Sequence, residues 1–394
     1  MEAKRESKIT MLRERGSRIW IDRGIAHLDF EAYEKALDAF TRAYELDPES
    51  IDAIQYLAQE LYLQGKPDES EALLRRALES KPDVTLYRTL CAVLLDDPKR
   101  LEETTAIINE VRGLEGGTIA AILLEGHYEI EKNKGERALY LFQSALDSEP
   151  ANQEAKEGVA RALNLIGIEL SENDRNDEAI FTFKRAIEFD SLWSAPQVNL
   201  GNCFCNIGDI ERARAAYSRG IELEMDNPQA HFNLGRLLSD EEDYEAAEFE
   251  FLQILDIEPT YPDAHFEIGR IYSMRSDFES AIFHYEQEIQ SNPTSIPCLC
   301  NLAISYISVG RPEEGETTLK SALEIEEDPF TLYTLAGLYA TLERNDDSIS
   351  MIERAAALKP NWLAEYLISD DKFDRIRDIP RFAAAIASLA VSAS

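Results

Sequence analysis

Positive charge is scarce in this chain of 394 residues: 40 Lys and Arg stand against 75 Asp and Glu, a formal net charge of −35. The acid is spread along the whole length and is not gathered in a tail. A polyanion repels nucleic acid and anionic membrane surfaces, so neither is expected as a partner. Cysteine is also scarce. Five thiols in so long a chain do not make a disulfide framework. Long apolar runs are missing: none approaches membrane-spanning length, and the segment from Met1 to Ile19 is too charged for the apolar core of a signal peptide. A reducing cytoplasm is the expected compartment. One stretch reverses the charge balance. Residues 1–23 hold Lys4, Arg5, Lys8, Arg13, Arg15, Arg18 and Arg23 against Glu2, Glu6, Glu14 and Asp22. A solvated lead-in helix is the simpler account of it, a basic docking arm the other.

The few prolines fall on a beat. Pro48 and Pro82 are 34 residues apart, as are Pro259 and Pro293, and each closes a short polar run ("YELDP", "LESKP", "LDIEP", "IQSNP") after an apolar-periodic segment. Proline there ends one helix before the next begins. Two helical patterns lie between the prolines. The first sets apolar residues around a small one: Leu200, Gly201, Phe204; Leu234, Gly235, Leu238; Ile268, Gly269, Tyr272. The second pairs a small residue with an aromatic four places on: Ala36 with Phe40, Ala138 with Phe142, Ala179 with Phe183, Ala213 with Tyr217, Ala247 with Phe251, Ala281 with Tyr285. Such i,i+4 pairs share one helix face. Neither helix can bury that face alone, so the repeats must stack.

With this period and these positions the chain resembles the tetratricopeptide repeat family, whose 34-residue unit is a helix–turn–helix. Trp20, Gly24, Ala36, Phe40, Ala43 and Pro48 fall on its signature positions. The resemblance implies an all-α fold: a right-handed α-solenoid superhelix of about ten helix pairs, starting near Ser17, Ile51, Val84, Ile119, Ala160, Ser194, Pro228, Pro262, Ile296 and Pro329. Three departures stand out. The pattern of the third repeat is lost after Leu95, through "LDDPKR" to "GLEGG", so its second helix is expected to be poorly defined and Gly113 to Gly117 to form a joint. The spacing from Pro150 to Ser191 is 41, seven too many; two extra helical turns, from near Gln153, absorb it. After Pro360 the repeat gives way to a segment that resembles the closing cap of many bacterial members. The expected organisation is a basic lead-in (1–16), repeats one to three with the third degenerate (17–118), repeats four to ten (119–360) and a cap (361–394).

No catalytic or metal constellation emerges, and no cofactor is expected. "CFC" (Cys203, Cys205) and "CLC" (Cys298, Cys300) look like ligand pairs, but residues i and i+2 of a helix point roughly 200° apart. His231 and His265 recur at repeat position four as partly buried spacers, and no Gly-rich phosphate loop is present.

In the family, positions two, five, six, nine, twelve and thirteen of the first helices look into a concave face. In repeats six to nine, position six reads Asn199, Asn233, Glu267, Asn301; position nine reads Asn202, Arg236, Arg270, Ile304; position five reads Val198, Phe232, Phe266, Cys300. Amides can pair with an extended backbone, arginines with carboxylates, and the apolar residues with side chains. Asn199, Asn202, Asn233, Arg236, Arg270, Asn301, Val198, Phe232 and Phe266 are therefore the candidate ligand strip, although asparagine at position six is also family consensus. The family's carboxylate clamp is excluded in this window, because Val198, Asp263 and Glu267 stand where it needs cations. The expected function is a non-enzymatic scaffold or adaptor holding an extended peptide or helix of a partner protein. Self-assembly, with a homo-oligomer as its product, and a regulatory subunit of an enzyme complex are the alternatives.

Overall fold

The computed structural model describes residues 2–358, 360 and 362–390. The side chains of residues 2–9, 98 and 390 lie outside that description, and with them the charged groups of Lys4, Arg5 and Lys8 in the lead-in, as do residues 391–394 of the cap. Among the described residues there are 22 α-helices, two 3-10 helices and no strand. None of the helices is long and apolar enough to cross a membrane.

Consecutive helices pack in chain order within each of two compact units, Met1–Gly208 and Asp209–Ser394, with five repeat hairpins in the first and four in the second among the described residues. Residues 113–117, expected to be a joint between blocks, form a short connection inside the first compact unit. In the first unit the pairs run from Glu2–Leu28 with Tyr33–Leu46 to Gln153–Glu172 with Asn176–Phe189, followed by Ala195–Asn206. In the second, Ile210–Leu223 precedes four pairs, from Pro228–Asp240 with Tyr244–Ile257 to Pro329–Thr341 with Asn345–Ala357. The cap follows as Leu363–Ser369, a 3-10 stretch Asp371–Ile376, and Pro380–Ala390. Its Leu363, Leu367, Phe373 and Phe382 are buried with Ile349 and Ile352 of the last repeat, closing the apolar end that a solenoid would otherwise expose.

The small–aromatic pairs make the core. Ala36 and Phe40, Ala138 and Phe142, Ala179 and Phe183, Ala247 and Phe251, and Ala281 and Tyr285 are all at most 1% exposed. Each of these rings lies on a glycine of the first helix in its own repeat. A Cβ on Gly167 would come within 2.5 Å of Phe183, and one on Gly269 within 2.6 Å of Tyr285. Local chemistry starts the helices: side chains of Ser50, Asp83, Asn152, Asn227, Ser295 and Asp328 accept the free N–H groups of the first turn. The hairpin turn repeats as well. Glu31, Gly65, Asn133, Asp174, Gly208, Glu242, Ser276, Gly310 and Glu343 all have positive φ, one in every repeat but the third.

The third repeat corrects the expectation of a degenerate hairpin. Its second helix, Leu101–Arg112, is regular, and Thr104, Ile107, Ile108 and Val111 are buried. Only the turn is rebuilt, as the 3-10 stretch Pro98–Arg100. Thr104 and Ile108 occupy the small and large positions with residues outside the small–aromatic pattern. Four charged groups hold this turn to the preceding repeat. Arg100 donates to Glu71 (2.8 Å) and Glu103 (2.7 Å), and Arg75 donates to Glu71 (2.7 Å) and to Glu103. The Arg100 hydrogen bond is the main reason the Glu71 carboxyl is held down to about 2. The seven surplus residues form two added turns of the 20-residue helix Gln153–Glu172, as expected.

Candidate protein-interaction groove

The first helices of successive repeats also pack on one another, Ile51–Leu63 on Val84–Leu95, that on Gly117–Glu131, and that in turn on Gln153–Glu172. Their common side encloses a cavity of about 740 Å³ within the first compact unit. Helix Ile51–Leu63 contributes Gln55, Gln59, Tyr62 and Leu63; helix Val84–Leu95 contributes Thr85, Arg88, Thr89 and Ala92; Leu124, His127 and Glu131 come from the third and Glu154 and Arg161 from the fourth. In repeats two to four these are positions two, five, six, nine, twelve and thirteen, joined by Val93 at position ten, so the walls largely follow the family's positional rule, in repeats outside the strip expected from the sequence.

One charged group spans three of the four helices. The Arg88 guanidinium donates to Glu154 Oε2, and His127 Nε2 lies 3.3 Å from Glu154 Oε1. Burial pulls the Glu154 carboxyl upward, but the His127 hydrogen bond and the Arg88 charge outweigh it and hold the group below its ordinary range. Glu154 belongs to the two added turns, which therefore supply a groove residue as well as length. Gly158 in those turns lets the helix lie on Phe142, since a Cβ there would be 2.3 Å from the ring. At the other end burial, together with a hydrogen bond to Asp96, raises the Tyr62 phenol. The walls thus carry neutral amides and hydroxyls, an apolar floor at Val93 and Leu124, and charges of both signs.

The strip expected in repeats six to nine is divided between the two compact units. In the first, Val198 is 4% exposed and belongs to the core, which removes it from any accessible stripe. It is buried because Ala195–Asn206 is covered on more than one side: Gly201, three places on, is buried with Val198, and Leu200 and Phe204 are buried on the opposite side. Asn199 donates from Nδ2 to Asn164 Oδ1 at 2.9 Å, so one step of an amide ladder exists, and Asn202 is half-buried. Sequence spacing missed Asn164, because it precedes Asn199 by 35 residues and not 34. In the second unit, Asn233 accepts from Gln229 at 2.9 Å and Asn301 is half-buried beside a cavity of about 230 Å³. Phe232 meets Phe251 edge-on at 5.7 Å and Phe266 lies 6.0 Å from Tyr285, so both rings lean on the core aromatics. Arg270 is paired with the buried Glu267 at 2.7 Å, and Arg236 is exposed with its charge acting on the same carboxylate. Burial dominates at Glu267 and raises it despite both cations.

The thiols and imidazoles are taken up in packing. Cys298 donates to the Tyr285 carbonyl and Cys300 meets Thr331, so the two thiols of that pair face opposite neighbours. Burial pushes Cys91 up to about 12 and Cys300 up to about 11. Among the described residues no group of three or more His, Cys, Asp or Glu could hold a metal ion. His231, expected to be a spacer, has Nδ1 2.6 Å from Glu250 and Nε2 3.0 Å from the Met225 carbonyl. The Glu250 hydrogen bond raises its pKa. One repeat later the same two positions hold His265 and His284, Nδ1 to Nδ1 at 3.0 Å, and burial lowers both, His284 to about 4.

Several known proteins are similar to this chain over part or most of its length. Anaphase-promoting complex subunit 3 of Schizosaccharomyces pombe is 22% identical over 201 residues, 51% of this chain and 29% of that protein. Protein CTR9 homolog of Arabidopsis thaliana is 29% identical over 107 residues, 27% of this chain and 9% of that protein. The chain therefore spans less than a third of the length of these curated relatives. Among solved structures, MamA aligns at 24% identity over 41% of this chain and 95% of its own, with a TM-score of 0.39. YrrB, described as a TPR protein with an unusual peptide-binding site, aligns at 17% identity over 48% of this chain and 94% of its own, with a TM-score of 0.40. The APC/C hetero-tetramer Cut9-Hcn1 aligns at 12% over 95% of this chain and 96% of its own, with a TM-score of 0.44. Family models described as tetratricopeptide repeat match residues 27–94, 160–191 and 228–261, and one described as TPR repeat matches 201–240. With helix hairpins in chain order in both compact units and these matches distributed among them, the chain is a tetratricopeptide repeat protein.

Proposed function

We propose that the protein is a non-enzymatic adaptor that holds an extended segment of a partner protein in the groove of repeats two to five. The observation that carries this reading is the cavity itself, walled by one side of four consecutive first helices. Gln55, Gln59 and Thr85 suit a peptide backbone, since an amide both donates and accepts and a hydroxyl does the same. Val93 and Leu124 suit apolar side chains, and Arg161 and Glu131 at the rim suit charges of either sign. The buried thiols of Cys91, Cys298 and Cys300, which burial raises, and the histidines engaged with neighbours favour a binding role over catalysis. A curated relative that is a subunit of a multi-protein assembly agrees with it.

The test is selection of extended peptides from a random library on the full chain, followed by fluorescence anisotropy with the best binder. Ala92 is exposed on the groove wall. Ala92→Trp fills the space and is expected to weaken binding at least tenfold without lowering the melting temperature. Arg236→Ala with Arg270→Ala, in the other compact unit, is expected to leave binding unchanged. The reverse pattern would move the site to the strip of repeats seven and eight.

A further inference from the structure

The second helices of repeats seven and eight, Tyr244–Ile257 and Phe278–Ser291, do not have the polar outer face that a solvated helix usually shows. Phe249 is 58% exposed, Leu252 44% and Phe283 55%. Phe249 and Phe283 are equivalent residues of consecutive repeats, each two places before a core aromatic, Phe251 or Tyr285, that is fully buried. Their charge is of one sign. The two helices carry Glu245, Glu248, Glu250 and Asp256, then Glu279, Glu286 and Glu288, and neither holds a lysine or arginine. Glu248 and Glu250 are engaged by Arg275 and His231, and Glu286 by Tyr306. Glu245, Asp256 and Glu279 stand exposed around the aromatic residues. Exposed rings set in an acidic field fit a partner that is both apolar and cationic.

The chain carries such a partner at its own start. Helix Glu2–Leu28 has 27 residues, about twice the length of the helices it is paired with and followed by. It enters the core at Ser17 and Ile21, which are 1% and 3% exposed. Before that point residues 10–15 are exposed throughout, with Met11 61% and Leu12 60% exposed beside Arg13 and Arg15. Residues 1–23 hold seven cations and four acids in a chain whose net charge is −35.

We propose that the acidic aromatic face of repeats seven and eight docks the basic N-terminal helix of a second copy of this chain. The two surfaces differ, so the contact is heterologous, head to tail, and each copy keeps one surface of each kind to offer onward. Burial of Phe249, Phe283, Met11 and Leu12 supplies the attraction, and the charges supply the choice of partner and a dependence on salt.

Light scattering on a sizing column, with the full chain over a wide concentration range, tests this. The wild type is expected to grow in mass with concentration and to shrink with added salt. Phe249→Ser with Phe283→Ser, and separately Met11→Ser with Leu12→Ser, are each expected to run as monomers with unchanged circular dichroism, because all four side chains are exposed. Mixed together, the two double mutants each retain one intact surface and should form a complex of one copy of each, and nothing larger. If either double mutant is misfolded, Glu245→Lys with Glu279→Lys replaces it, and its association should return on mixing with Arg13→Glu plus Arg15→Glu. A wild type that stays monomeric throughout, association that survives in both double mutants, or a mixture that gives no complex would each overturn the proposal.

Discussion

The residue that closes each hairpin is the clearest single-residue device in the structure. Gly310 adopts φ +80°, and a Cβ there would meet nothing within 4 Å, so replacing it by alanine adds only backbone strain. Gly310→Ala is expected to cost about 1 kcal/mol, and Glu242→Gly, at the same turn of another repeat with φ 62°, to stabilise by about 0.5–1 kcal/mol. Urea unfolding of both variants gives the comparison. The histidines give a second prediction, with opposite signs in neighbouring repeats. His231 is raised by Glu250, so its contribution is present below pH 6.5 and is lost as pH rises through its own higher pKa. His284 is lowered to about 4 by burial and by His265, with Glu248 acting the other way, so stability is lost as pH falls from 6.5 toward 4. Allowing for its partial exposure, that loss is about 1–2 kcal/mol. Amide exchange is therefore expected to quicken around Phe278–Ser291 on the acid side and around Pro228–Asp240 on the alkaline side. Neither partner was legible in the sequence. The spacing showed histidines recurring at position four, but the residues they meet lie 19 places on, across a hairpin whose closeness the repeat position did not disclose.

Helices and repeats were far more legible, since an i,i+4 pair of small and aromatic residues can be buried in only one way. The third repeat escaped because Thr104 and Ile108 fill the same space, 0% and 3% exposed, with different chemistry. Its rebuilt turn depends on charge, and that can be tested. Arg100→Ala is expected to cost about 1–2 kcal/mol at neutral pH, since it removes charge-assisted bonds from a partly exposed site. Glu71, held at about 2, contributes stability above pH 4.5 that fades as pH falls toward 2, and this part of the acid sensitivity should shrink in Arg100→Ala. Acid titrations of the two proteins, followed by circular dichroism, measure both effects. Elsewhere the aromatic carries the repeat. Phe251 is 0% exposed and touches Gly235 and Phe232 of its own repeat, so Phe251→Ala is expected to cost about 3–5 kcal/mol.

For the whole chain, stability is a sum over neighbours. The Phe251→Ala loss should appear in hydrogen exchange as faster opening of the repeats around it, while Ala36 and Phe40 at the start of the chain stay protected; deprotection of every repeat alike would contradict this. The repeat count and the cap could be read from the sequence at this scale, and so could the positions that face the groove. The repeats that wall the cavity could not be picked out. Repeats two to four looked unremarkable because Gln55, Arg88 and His127 differ in type, whereas Asn199, Asn233 and Asn301 caught attention by being alike, and likeness is also what consensus produces. The two added turns of Gln153–Glu172 set a rule for how such a chain can be lengthened. Seven residues at about 100° each fall roughly 20° short of two full rotations, so everything downstream keeps its angular phase. An insertion of five would swing Ala162, Leu163 and Ile166 away from the interior and turn charged residues inward. Seven alanine-rich residues placed after Glu154 should thus leave a helical, cooperatively melting protein. Five at the same point should abolish the melting transition of the first compact unit.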